Sequence, residues 1–205
     1  MTLTIDDVIV EAPQPGQSVD PRRWFERPAP LELEIGCGKG GFLLRRAQEH
    51  PELNFLGIEW ANKFFRFAAD RMARWGVTNV RIMRTDAAYF VTSQLEPSCI
   101  AALHIYHPDP WPKKRHHKRR LIQPPFVNAA VRALMPGARW AVQTDHGEYF
   151  EQMRDCLLNH PSLRETPFDD ATYGICDASA QTNYEIKYRR EHRAIFQLAV
   201  VRDES

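Results

Sequence analysis

The chain has 205 residues, 43% of them hydrophobic and 26% charged, with a formal net charge of +1. That length and balance fit one globular domain with its own core and exclude a disordered or low-complexity chain. The four cysteines (Cys37, Cys99, Cys156, Cys176) form no CxxC pair, which argues against a disulfide framework or a zinc site and suits a reducing cytoplasm.

Residues 1–30 hold five of the fifteen prolines and little periodicity. They read as an extended N-terminal arm with a short element at Val8–Val10, pinned to the body by Trp24 and Phe25. Residues 31–205 read as one domain of alternating strands and helices. A strand over Leu31–Ile35 leads into a glycine turn, Gly36–Gly41, and a helix to His50, which Pro51 ends. A second strand covers Asn54–Ile58. The next helix, Asn62–Trp75, places Phe64, Phe67, Ala68, Arg71, Met72 and Trp75 near helical spacing, with Gly76 as its stop. Strands follow at Val80–Met83 and Ile100–Tyr106. Pro124 and Pro125 suit the first turn of a helix to about Leu134. Pro136-Gly137 turns the chain into a strand at Arg139–Gln143, and Gly147–Asn159 is helical, with Tyr149, Phe150, Met153 and Leu157 on one side. Residues 160–183 read as irregular, and Ala194–Val201 as a closing strand. This alternation predicts an α/β fold, a mostly parallel sheet with helices on both faces. No apolar run approaches the roughly 18 residues of a membrane span, and no secretory leader pattern is present. A cytoplasmic protein is expected.

Gly36-Cys37-Gly38-Lys39-Gly40-Gly41 fits G-x-G-x-x-G between a strand and a helix, a turn that lets a ligand approach the backbone closely. Three acids stand at successive strand ends. Glu34 lies two residues before the first glycine, Glu59 follows the second strand, and Asp86 follows the third. A carboxylate at Glu59 suits a ribose diol. One at Glu34 would repel a pyrophosphate and suits a cationic ligand end, such as the aminoacyl and sulfonium part of S-adenosylmethionine. Asp86 suits an adenine amino group. Each acid is also open to a plainer reading as a strand-end cap or salt-bridge partner.

After the fourth strand comes Pro108-Asp109-Pro110-Trp111, in which flanking prolines restrict where Asp109 points and Trp111 offers a stacking surface. Then every residue from Lys113 to Arg120 is Lys, Arg or His. A buried strand cannot carry such a run, so it is expected at a surface facing an anion, with RNA or DNA phosphates as the fitting partner. Farther on, Thr144-Asp145 ends the fifth strand and Thr182-Asn183-Tyr184-Glu185 precedes the last. Carboxylates suit guanine, whose N1–H and N2–H₂ donate along one edge, so Asp145 and Glu185 are candidates. A helix cap and a surface ion pair are the alternatives. No residues have metal-ligand spacing.

Leu33–Gly40, Gly57-Ile58-Glu59, Pro108–His116, Arg119–Ile122, Thr144-Asp145 and Thr182–Glu185 together resemble the bacterial tRNA (guanine-N7-)-methyltransferase family over about residues 31–200. The proline-flanked acid with its basic tail is the specific part of that likeness. The resemblance implies a Rossmann-like class I S-adenosylmethionine-dependent methyltransferase with a mostly parallel seven-stranded sheet, acting on guanine 46 of the tRNA variable loop. It implies no metal, and leaves monomer and homodimer open. By position it implies cofactor binding by Glu34, Gly36, Gly38, Glu59, Asp86 and Asp109, with Asp109 also catalytic. Lys113, Asp145, Thr182, Asn183, Tyr184 and Glu185 match substrate-binding positions. Arg115, His116, His117, Lys118, Arg119 and Arg120 match an RNA-contacting segment. The chain departs from the pattern at Cys37, at Tyr106-His107 in place of a frequent Asn-Phe pair, at His146 and at Asn183. Competing readings are an amino-methyltransferase acting on adenine or cytosine, a nicotinamide-dependent oxidoreductase, and an RNA-binding protein without activity.

Overall fold

A computed structural model describes residues 3–168 and 194–204. Its centre is an eight-stranded sheet in the order β1-β4-β3-β2-β5-β6-β8-β7. The strands are β1 (Ile9–Val10), β2 (Leu31–Ile35), β3 (Asn54–Ile58), β4 (Val80–Met83), β5 (Ile100–Tyr106), β6 (Leu134–Thr144), β7 (Leu163–Thr166) and β8 (Phe196–Arg202). Strands β1 to β6 pair in parallel, and β8 runs antiparallel between β6 and β7. The six strands read from the sequence become eight, one of the additions being β1, which the arm places beside β4. Leu163–Thr166, expected to be irregular, is a strand because its backbone completes the ladder of β8.

The helices are α1 (Ile5–Val8), α2 (Gly41–Glu49), α3 (Asn62–Arg74), α4 (Ala87–Tyr89, continued by a π-helical turn over Phe90–Gln94), α5 (Pro124–Ala133) and α6 (Gly147–Leu158). They cover both faces. Leu43, Leu44 and Ala47 of α2 pack with Phe65, Ala68 and Met72 of α3 against Phe55, Val80 and Ile82. On the other face Phe126, Val127 and Ala130 of α5 and Tyr149, Met153 and Leu157 of α6 pack against Leu31, Leu33, Leu103 and Trp140. The two layers make the sheet's central strands buried on both sides, which is why every residue of β3 is buried and its run from Phe55 to Ile58 is apolar.

Two further elements differ from expectation. In α3 the buried stripe is Phe65, Ala68, Ala69, Met72 and Ala73, so Phe67 and Trp75 point outward, at 39% and 63% exposure. The close approach of α2 and the glycine turn selects the small side chains: a Cβ on Gly40 would already lie 2.7 Å from Met72 Cε and 3.2 Å from Ala68 Cβ. Strand β6 begins at Leu134 rather than Arg139. Its register jumps from Ile100↔Leu134 to Ala102↔Arg139, so Pro136-Gly137 is a bulge inside one strand, where Gly137 takes φ +74°.

Candidate active site

The chain order reverses across β2, which pairs β3 on one side and β5 on the other. Ligands of open α/β sheets bind outside the carboxyl ends of strands at such a point. The register brings the predicted residues to that edge. Ile35 aligns with Ile58 and Ile105, and Ile58 with Met83. Glu59, Asp86, the Asp109 turn and Asp145 follow directly on strands β3, β4, β5 and β6. The segment holding Thr182, Asn183, Tyr184 and Glu185 lies outside the described residues.

The glycine turn is closed from the neighbouring strand. Gly36 N–H and Cys37 N–H donate to Ile58 O at 2.8 and 3.1 Å, and Gly36, Gly38 and Gly40 take φ of +77°, +54° and +66°. Gly38 N–H donates to Glu59 Oε2 at 2.8 Å, and Ala61 N–H to Glu59 Oε1 at 2.8 Å. The Glu59 carboxylate is thus fixed facing the turn before any ligand arrives. Glu34 is buried at 3% exposure, and its Oε2 has no hydrogen-bond partner among the described residues. Burial, reinforced by the Glu59 charge, pushes its carboxyl up to about 8. A buried acceptor left in this state is what a cationic donor group would satisfy. Asp86 is exposed and caps α4, its Oδ1 accepting from Tyr89 N–H at 3.0 Å.

The acid–proline turn is braced at both ends. His107 and Trp111 bracket Pro108-Asp109-Pro110, and both adopt left-handed backbone, φ +51° and +42°. Each such residue costs on the order of 1–3 kcal/mol, so the surroundings must hold it. His107 N–H donates to Gln143 O at 2.7 Å. At the other end Arg120 Nε donates to Pro110 O at 2.9 Å. Asp109 itself is exposed at the tip.

Arg120 therefore departs from the outward-facing run in which the sequence places it. It is 3% exposed, with Nη1 donating to Gln152 Oε1 at 2.7 Å and its guanidinium 4.9 Å above the Tyr149 ring. The alternation of faces in a short 3₁₀ helix over Lys114–Arg119 turns this last cation inward. Lys113, Lys114, Arg115, Lys118 and Arg119 stay exposed, and His116 and His117 are half-buried. Arg119 sits 4.9 Å over the Trp111 ring, with His116 edge-on at 5.8 Å. The cationic surface and the Asp109 turn form one unit.

At β6, His146 rather than Asp145 caps α6, its Nδ1 accepting from Tyr149 N–H at 3.2 Å. The cap reading of Asp145 is thereby answered. Sequence reasoning passed over the groups behind these motifs: Arg120 as brace, and His107 with Gln143 and Gln197. A histidine directly before the proline-flanked acid was the one available signal.

A family model described as "Putative methyltransferase" matches residues 28–198. A tRNA (guanine-N(7)-)-methyltransferase of Bordetella pertussis is 38% identical over 187 residues, covering 91% of this chain and 72% of its own. The chain belongs to the tRNA (guanine-N(7)-)-methyltransferase family. A relative of the same name from Alkalilimnicola ehrlichii is 40% identical over 77% of this chain and 66% of its own. Among solved structures, TrmN from Thermus thermophilus superposes with a TM-score of 0.58 at 16% identity, covering 86% of this chain and 45% of that one. A Thermotoga maritima SAM-dependent O-methyltransferase gives 0.56 at 14%, covering 85% and 60%. At such identities the likeness is one of fold: a class I methyltransferase sheet. Among the described residues no cluster of three or more His, Cys, Asp or Glu is placed to hold a metal, and no helix is long and apolar enough to cross a membrane.

Proposed function

We propose that this protein transfers the methyl group of S-adenosylmethionine to N7 of guanine in tRNA, at guanine 46 of the variable loop. The observation that carries the reading is the buried Glu34 carboxyl beside the glycine turn, its Oε2 without a hydrogen bond among the described residues, on the sheet edge that also presents Asp109 and the basic segment. The cofactor supplies an electrophilic methyl on a sulfonium. Glu34 would receive its cationic aminoacyl end, Gly36 and Gly38 would let it reach the backbone, Glu59 would take the ribose, and Asp86 the adenine edge. Guanine N7 carries a lone pair and no proton, so attack needs no general base. What this chain must provide is alignment and charge. Asp109, held between its braced prolines, would face the positive charge that develops on the purine. Lys113, Asp145 and the Thr182–Glu185 segment would orient the base. Residues 31–205 would form the catalytic domain and residues 1–30 an extension seated on its β4 edge, in a cytoplasmic monomer or homodimer.

Transfer of labelled methyl to unmodified tRNA, followed by nucleoside analysis, tests the reaction. Label in 7-methylguanosine is expected; label in a methylated amino group would support the amino-methyltransferase reading instead. Asp109→Asn is expected to lower kcat by roughly a hundredfold with an unchanged melting temperature, since the side chain is exposed. Turnover near wild type would remove Asp109 from the chemistry. Arg119→Ala removes one outward cation and its contact with the Trp111 ring. Its tRNA affinity should fall, and the slope of log Kd against log salt should shrink by about one. An unaltered slope in filter binding across a salt series would count against the 3₁₀ segment as the phosphate contact.

A further inference from the structure

His107 is joined to its neighbours by a chain of amide and ring contacts that runs in from β8. Gln197 of β8 donates from Nε2 to Gln143 Oε1 at 2.8 Å. The amide atom that Gln143 turns toward His107 is therefore its Nε2, which can only donate. It lies 2.9 Å from His107 Nε2, so that ring nitrogen accepts through its lone pair. Accepting there, the imidazole carries its proton on Nδ1. Asp145 Oδ1 lies 3.8 Å from His107 Nδ1. The separation exceeds a hydrogen bond, so the ring can steer the carboxylate only through its dipole. The His107 side chain is 3% exposed and that of Asp145 20%, a setting in which such steering is weakly screened. The residue whose ring faces Asp145 is also the one whose backbone N–H, bonded to Gln143 O, holds the Asp109 turn.

We propose that His107 is a positioning residue: through the Gln197–Gln143–His107 relay it orients the Asp145 carboxylate and ties that orientation to the Asp109 turn. The proposal rests on the reading of Asp145 as a base-recognition group, and it assigns a role to one of the positions at which the chain departs from the family pattern.

Two substitutions separate positioning from packing. His107→Phe keeps the ring volume and removes both polar ends. His107→Gln keeps an acceptor for Gln143 and a donor for Asp145. His107→Phe is expected to lower kcat/KM for tRNA about tenfold, the size of one lost buried polar contact, with S-adenosylmethionine affinity unchanged, while His107→Gln recovers most of the loss. In an Asp145→Asn background His107→Phe should cost nothing further. Additive losses, or a His107→Gln variant as impaired as His107→Phe, would overturn the proposal. Long-range ¹H–¹⁵N spectra of the wild type give a test free of activity: the His107 proton is expected on Nδ1, and a proton on Nε2 at neutral pH would overturn the relay. A wild type that makes no 7-methylguanosine would remove the functional reading instead, and the spectrum would then decide the relay alone.

Discussion

Glu34→Gln is expected to make the ligand-free protein more stable at pH 8 and to weaken S-adenosylmethionine binding by roughly a hundredfold. Both effects follow from one carboxyl. Burial first, and then the Glu59 charge, raise it from 4.5 to about 8. Between those values the unfolded chain has released the proton and the folded chain still holds it. Stability that is fully present below about 4.5 is therefore lost as pH rises through about 8. At about 1.4 kcal/mol per pKa unit the loss is on the order of several kcal/mol. The glutamine variant lacks this decline, so its melting temperature should fall less than that of wild type between pH 5 and pH 8. A cation docking on Glu34 must ionise it, so ligand binding at pH 7 should release close to one proton, seen by calorimetry in buffers of different ionisation enthalpy. Parallel melting curves for the two proteins, or binding without proton release, would show that Glu34 is not the acceptor. The instability of the empty site is the counterpart of its affinity, a trade common at functional sites.

Arg46→Ala is expected to destabilise the fold by about 3–5 kcal/mol at neutral pH. Beneath the sheet, Arg46 Nη2 lies 2.6 Å from Glu32 Oε1, and the side chains are 2% and 7% exposed. His104 Nε2 lies 2.9 Å from Glu32 Oε2, and its Nδ1 is 3.0 Å from the Tyr106 hydroxyl. Burial drives the His104 pKa down despite its bond to Glu32, so the histidine is neutral at pH 7 and Arg46 is the standing cation. Burial opposes charge on Glu32 as well, but the hydrogen bonds from His104 and Arg46 and the Arg46 charge outweigh it and hold the carboxyl below the usual range. In the wild type this contribution is present above about 4.5 and lost as pH falls through the lowered value. Without Arg46 the sign reverses: Glu32 keeps its proton to higher pH, and the variant should be least stable at pH 8 and partly restored at pH 5. Urea denaturation at both values checks this. A variant within about 1 kcal/mol of wild type at pH 8 would mean that Glu32 is stabilised without its arginine.

The local elements were largely legible because their signals are local. The glycine turn, the proline-flanked acid and the Lys113–Arg120 run each declare a backbone shape or a charge within a few residues, and their order along alternating strands and helices points to the parallel sheet. The misplaced face of α3 shows where this stops. Phe64, Phe67 and Trp75 have helical spacing and large apolar side chains, yet the stripe 65-68-69-72-73 is buried, because at positions 68 and 72 the glycine turn comes too near for anything larger than alanine or a flexible methionine. The strand Leu163–Thr166 was hidden for a related reason. Its pairing partner, β8, lies more than thirty residues away in sequence, and a ladder bond leaves no mark on the residues that make it.

The sequence by itself determined which chemistry is present: acids at strand ends, an acid between two prolines, a cationic run, and hence a family. Tertiary structure decided what each of those groups is able to do. It spent Arg120 on Pro110 and Tyr149 instead of solvent, gave the α6 cap to His146, and left Glu34 Oε2 buried without a hydrogen bond among the described residues. It also set His107 between Gln143 and Asp145. The physical reason is that residue type fixes charge, donors and acceptors, whereas burial and partners fix protonation and direction, and those come from strands that meet only in the folded sheet.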